Sequence, residues 1–327
     1  MIIDQIRQRL PTIFSMGNLK GITFTTKQVS HSQDRSITEK IKSNGVSKEE
    51  KDLLASLKSM LPRDTRIVEN DRTILNGKEI DILIPSYSLG IEYDGLYFHS
   101  EKDGKGPEYH YNKTLQCRSK GIQLVHIFSD EWEKRRTPVI NKLKQITGRL
   151  DRVEEISSIE EISISRALTF FEANSINVPA GLDGELCYGA FNDRNRMIAC
   201  ASFKKESCEW YISHFDVRGG SYVEKALSRL VKKFLEDVFT PGVYLKVDNR
   251  WENFRDFESE GFVYKKSLKP QYTLTSTYNY RILQEDFDKY YKDRIVHQST
   301  EELLKINGYY KVWDCGYTLM EFKKRGS

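Results

Sequence analysis

Four side chains in the run EIDILIPSYSLGIEYDGLYFHSE have the chemistry to handle a metal ion and a phosphate. Asp81 stands in one apolar stretch, Glu92 and Asp94 in the next, and His99 just beyond. Strand alternation puts Glu92 and Asp94 on one face, opposite Tyr93, and a neighbouring strand can bring Asp81 beside them. Carboxylates gathered this closely repel one another unless a cation sits among them, and hard oxygen ligands with open water positions suit Mg²⁺. A metal held in this way polarises a phosphate and activates water, while a nearby imidazole moves a proton. Each residue has a plainer reading, Asp81 and Glu92 as polar strand ends and His99 as a loop cap. That reading is harder to hold for all of them, because an acid inside Ile80, Ile82, Leu83 and Ile84 and another inside LGIEYDG are costly to bury unpaired.

The surrounding pattern supplies elements to position these groups. Ser47 can N-cap a helix, with Glu50 three positions later as in a capping box and Leu53, Leu54, Leu57 and Leu61 along one face. Two β-rich runs follow, EIDILIP and LGIEYDGLYF, each preceded by a turn signal, Asn76-Gly77 and then Pro85-Ser86. A second helix fits His110 to Lys120 and ends at Gly121. The strand IQLVHIF comes next, with His126 expected as a satisfied core histidine. One helix then runs from Ser129 or Asp130 to about Ile146, with Asp130 as N-cap, Glu131 as a first-turn acid and Trp132 in the core. This order implies an α/β sandwich on a mixed sheet. After an acidic connector, DRVEEISSIEEIS, a second alternating α+β region extends to Ser276. Residues 277–327 read as two short helices and a final strand pair, YYKVWDC and YTLMEF.

Composition sets the outer limits. The 327 residues imply two domains with a short extension, and 39% hydrophobic with 30% charged residues is the balance of a globular chain. No apolar run approaches a membrane span and MIIDQIRQRL lacks a leader pattern, so the cytoplasm is the expected location, that of the host cell if the chain is phage-encoded. The five cysteines are scattered, with no CxxC pair and no Cys/His grouping at zinc spacing, which predicts reduced thiols and no structural zinc. Residues 1–45 carry seven basic against three acidic side chains, Arg7 and Arg9 among them, an excess equal to the whole chain's net charge of +4.

The stretch Glu79 to His99, with an Asp in an apolar strand, Ile-Pro, and an aromatic-rich segment ending in His, resembles the very short patch repair (Vsr-like) endonucleases and the related EDxHD homing endonucleases of bacteriophages. Both are variants of the PD-(D/E)XK nuclease fold. The resemblance extends over roughly Ser47 to Ile146 and includes SKEEKDLL and YHYNKTLQCRSKGIQLVHIFSDEW. It implies Asp81 as the principal metal-ligating carboxylate, with Glu92 as the second acid and Asp94 beside it. It also implies His99 as the catalytic histidine and Glu50 as the helical glutamate of the EDxHD pattern. No Lys follows Glu92-Tyr93-Asp94, so the usual lysine is missing, as in the repair-type branch. His110 and Lys113 fall on a helix bordering the site, as a second proton donor and a phosphate contact or as ordinary helix-surface residues. Mg²⁺, for which Mn²⁺ can substitute, and double-stranded DNA are the implied cofactor and partner, and a homodimer is one arrangement open to such an enzyme.

Residues 185–265 resemble a GNAT acetyltransferase fold. Such enzymes hold the pyrophosphate of acetyl-CoA on backbone N–H groups at a Gly-rich helix start. Here Arg218-Gly219-Gly220-Ser221-Tyr222-Val223 lacks the second spaced glycine, so the fold is expected without acyl-CoA activity and acetyl-CoA is not an expected partner. The organisation is therefore a basic extension (1–45), a Vsr-like nuclease core (46–150), a GNAT-like α+β unit (151–276) and a small C-terminal extension (277–327). The expected function is a metal-dependent DNA endonuclease of homing type. A mismatch nickase, an acyltransferase and a DNA-binding protein with a degenerate site are the alternatives. Lys265 and Lys266, in the Tyr- and Lys-bearing stretch FVYKKSLKPQYTLTSTYNYR, are candidate phosphate contacts. If residues 1–45 touch phosphates, their removal should flatten the salt dependence of DNA affinity; an unaltered slope in a binding titration would leave them as a solvated extension.

Overall fold

The computed structural model describes residues 47–182, 184–291 and 298–324, so Arg7, Arg9 and the rest of the basic extension lie outside the described residues. Four strands form the first sheet: β1 (Val68–Leu75), β2 (Lys78–Ile84), β3 (Leu89–Asp94) and β4 (Gln123–Phe128). They lie in that order, the first three antiparallel and β4 parallel to β3. Asn76 and Gly77 turn β1 into β2, both with positive φ (53° and 97°), as a two-residue hairpin of type I′ requires. β1 goes beyond the sequence reading. VENDRTIL is mostly polar, and at the sheet edge it buries only Asp71 and Leu75.

Alternation divides the hydrophobic core between the two faces of this sheet. Ile82, Ile84, Leu89, Ile91, Val125 and Ile127 meet Leu53 and Leu57 of α1 (Lys48–Met60) and Trp132, Val139 and Leu143 from the chain after β4. On the other face Leu75, Ile80, Leu83 and Leu124 pack against Cys117 of α2 (Tyr109–Ser119). Gly90 makes room there, since a Cβ would stand 2.8 Å from a Leu124 methyl and force it to shift. Glu92, Asp94 and His126 continue that second face toward the ends of β3 and β4, facing α2. The helix expected from Ser129 to Ile146 is two, α3 (Ser129–Lys134) and α4 (Arg136–Ile146). Pro138 in the first turn of α4 has no N–H to give back to the preceding turn, and the chain breaks at Arg135.

The supposed connector is structured, forming β5 (Arg152–Glu154) and β6 (Ser158–Ile162). α5 (Ile164–Asn174) follows, then β7 (Leu186–Phe191), β8 (Met197–Glu206), β9 (Glu209–Val217) and β10 (Ser221–Val223), which pairs with β5. α6 (Ala226–Asp237), β11 (Gly242–Asp248), α7 (Phe254–Ser259) and β12 (Val263–Leu268) complete this region. β13 (Tyr272–Thr275), β14 (Ile282–Leu283), α8 (Gln284–Tyr290), α9 (Thr300–Ile306), β15 (Tyr310–Trp313) and β16 (Tyr317–Lys323) end the described chain. The last two strands do not pair with each other. β15 joins β13 in a three-stranded sheet, whereas β16 lies between β11 and β12 in a seven-stranded sheet ordered β12-β16-β11-β9-β8-β7-β6. Among the described residues no helix is long and apolar enough to cross a membrane.

From Lys48 onward the chain forms one compact unit, so the boundary drawn near residue 150 separates two sheets in sequence but not in contact. Glu131 shows why. It is buried, accepts the backbone N–H of Phe128 at 3.2 Å, and takes hydrogen bonds from Arg250 at 2.9 Å and Arg281 at 2.7 Å. Asp130, expected as an N-cap, also bonds Arg281, at 3.0 Å; the cap position belongs to Phe128. Burial pushes the Glu131 carboxyl up, but the two guanidiniums outweigh it and hold the group below its ordinary 4.5. Its stabilisation is therefore complete above that pH and is lost as the pH falls through the folded value. Glu131→Ala leaves each guanidinium with one carboxylate, Asp248 for Arg250 and Asp130 for Arg281, and should lower the unfolding free energy near neutral pH by about 1.5–3 kcal/mol, the range for lost hydrogen bonds to charged groups. In urea titrations the gap to wild type should narrow in acid.

Candidate active site

The site forms where β2 and β3 separate. Their ladder ends at the Ile82–Ile91 pair, and beyond it the Asp81 carboxylate takes the place of a strand partner, accepting the Tyr93 N–H at 2.8 Å. The Asp81 N–H in turn approaches Glu92 Oε1 at 3.4 Å, so the two acids are locked side by side. Lys113 reaches in from α2 and pairs with Glu92 Oε2. A cleft opens over this group, lined by Lys78, Asp81, Glu92, His99, Asn112 and Lys113 among others.

Lys113 is therefore not an ordinary helix-surface residue. It is buried, and it lies on the acid that has no lysine following it in sequence. Burial raises the Asp81 carboxyl despite the Tyr93 N–H, and burial together with the Asp81 charge raises Glu92 well above the carboxylate range. Burial pulls Lys113 down, but Glu92 more than restores it, and the ammonium ends above its ordinary value.

Asp94, expected to join Asp81 and Glu92 around one ion, is taken up differently. It is wholly buried and surrounded by three imidazoles. Its Oδ2 lies 2.9 Å from His126 Nδ1; its Oδ1 lies 2.9 Å from His99 Nδ1 and 3.9 Å from His110 Nε2. Burial pushes the Asp94 carboxyl up, yet His99, His126 and His110 hold it well below the usual range. His110 is 1% exposed rather than a helix-surface residue; burial lowers it to about 3, against the pull of Asp94. His126 is buried as expected, but it also anchors Asp94, with its Nε2 3.1 Å from the Thr114 hydroxyl. Position explains the assembly: His110 and Lys113 are one helical turn apart and face the sheet together, a spacing already present in YHYNKT.

Other expected residues lie elsewhere. Glu50, in the first turn of α1, is on the Tyr93 side of the sheet, where burial and the charges of Glu49, Glu133, Asp130 and Glu50 raise the Tyr93 phenol. Lys265 and Lys266 sit on β12, an edge strand of the seven-stranded sheet, and Lys265 is paired with Glu321 at 2.9 Å. The Gly219-Gly220 turn is filled from within. The Gly219 N–H donates to Asn174 at 2.9 Å, a Cβ on Gly219 would collide with Asn141, and Glu260 accepts the Ser228 N–H at the start of α6. The helix begins at Ala226, beyond the glycines, because Ser221–Val223 is committed to β10.

The fold is mixed α/β with several sheets. No known protein-family model matches the chain, and no characterised protein matches it in sequence. Among solved structures, a nourseothricin acetyltransferase crystal structure aligns over 45% of this chain and 69% of that one, at 13% identity and a TM-score of 0.24, too low to assign a fold. If Lys113 serves chiefly to neutralise Glu92, Lys113→Met should destabilise the protein markedly. Lys113→Met combined with Glu92→Gln should then recover much of that loss in thermal or urea unfolding, because removing both buried charges costs less than stranding one.

Proposed function

We propose that this chain is a metal-dependent DNA endonuclease of the PD-(D/E)XK type, closest in design to the Vsr-like and EDxHD homing enzymes. One observation carries the reading: Asp81, Glu92, Lys113 and His99 line a single cleft at the point where two antiparallel strands part. The donor set suits a hard cation, because two neighbouring carboxyls, each raised by burial, are relieved by a positive charge between them. Mg²⁺ held by Asp81 and Glu92 would neutralise phosphate charge and act as a Lewis acid at a phosphoryl oxygen.

The chain's own groups supply the rest. Tyr93 N–H holds Asp81 by Oδ2, and the Asp81 N–H and Lys113 hold Glu92 by its two oxygens, so neither carboxylate rotates away from the cleft they line. Lys78 and Asn112 stand on its walls and can hold phosphate oxygens. His99 is gripped at Nδ1 by Asp94 and His110, which leaves Nε2 as the atom that passes a proton to the leaving oxygen. Asp94 thus acts through His99 in this reading and is a positioning residue.

Asp81→Ala should abolish Mg²⁺-dependent cleavage of a double-stranded DNA library while leaving binding largely intact. His99→Ala should lower the cleavage rate by roughly 10² to 10⁴. Unchanged turnover in both variants, or DNA binding that needs no metal and leaves the DNA uncut, would remove the assignment.

A further inference from the structure

Asp94 Oδ1 is an anomaly: a carboxylate oxygen with no exposed surface and no hydrogen bond. Its nearest polar neighbour, His99 Nδ1 at 2.9 Å, is equally close to His110 Nε2. One ring nitrogen carries at most one proton and cannot satisfy both. His110 makes the shortage worse. Its Nδ1 lies 2.8 Å from the Trp313 carbonyl, which can only accept, so that nitrogen carries the ring proton and the Nε2 lone pair faces inward. His126 holds Asp94 by Oδ2, which fixes Oδ1 toward the two imidazoles.

We infer that Asp94 Oδ1, His99 Nδ1 and His110 Nε2 form a site for a first-row transition ion such as Zn²⁺, separate from the Asp81–Glu92 pair. The three atoms stand 2.9, 2.9 and 3.9 Å apart. Ligands about 2.0–2.1 Å from a tetrahedral ion stand roughly 3.4 Å from one another, so the triad spans the required spacing with small adjustments. Two imidazoles and one carboxylate select zinc or iron over magnesium, which takes oxygen ligands. The outer partners are those a metal site uses: a carbonyl on His110 Nδ1 and an imidazole on the second carboxylate oxygen. An ion there ties β3, α2 and the loop bearing His99 at one point and sets the rim of the cleft. The inference does not require the chain to cut DNA.

The test is metal binding by the full-length protein, stripped with chelator and titrated with Zn²⁺ in excess Mg²⁺, with Co²⁺ absorption as a report on geometry. Wild type should hold one equivalent of Zn²⁺ against Mg²⁺ and show tetrahedral Co²⁺ bands. His110→Ala and the more exposed His99→Ala should each weaken Zn²⁺ by at least about a hundredfold, more than loss of an outer partner costs. Asp81→Ala should keep the Zn²⁺ site while losing cleavage, which separates this inference from the nuclease reading. Absence of stoichiometric Zn²⁺, wild-type Zn²⁺ affinity in both histidine variants, or loss of Zn²⁺ in Asp81→Ala would overturn it and leave the triad as a shared-proton network.

Discussion

Asp94 stays ionised with none of its surface in water because two imidazoles each place a ring nitrogen 2.9 Å from one of its oxygens, His99 from the loop after β3 and His126 from β4, with His110 of α2 packed beside them. A buried carboxylate without such partners would take up a proton. Meeting that demand fixes the distance between α2 and the sheet, the course of the loop from Gly95 to Glu108, and the orientation of Lys113 one turn along the same helix. The neighbouring acid, Glu92, then finds its counter-charge already in place. The cleft is the space left beside these commitments.

The same need for charge compensation joins the two halves of the chain. Glu131, in α3 just after β4, is satisfied by Arg250 and Arg281, which follow β11 and precede β14. Arg250 and Trp251 also cover the free edge of β4: the Arg250 carbonyl accepts the His126 N–H at 3.2 Å and the Trp251 carbonyl accepts the Gln123 side chain at 2.8 Å. An exposed strand edge is thereby closed by the chain itself. The carbonyl on His110 comes from β15. The C-terminal part of the protein therefore backs the histidine cluster, while the cleft itself is lined by residues between Lys78 and Lys113.

The helices and strands around the site were legible because their apolar residues recur at the spacing of the faces they bury, as with Leu53 and Leu57 in α1 and Ile82 and Ile84 in β2. Asn76-Gly77 announced its hairpin through the positive φ both positions must adopt. β1 was not legible, since an edge strand with a polar outer row carries little periodic signal. β16 was legible as a strand in YTLMEF but its partners were not, since its neighbours β11 and β12 are distant in sequence and nothing local specifies them.

For the site, the amino-acid sequence by itself determined which groups were available and which of them shared a strand face: Asp81, Glu92, Asp94 and His99 as one chemical set, with His110 and Lys113 a helical turn apart. Only the tertiary structure decided how that set divides. Asp81 and Glu92 pair beside Lys113, while Asp94 turns to the histidines. The reason is that charge in a buried space is settled by whichever counter-group the packing of α2, β4 and β15 brings within about 3 Å, and that proximity has no local signature along the chain.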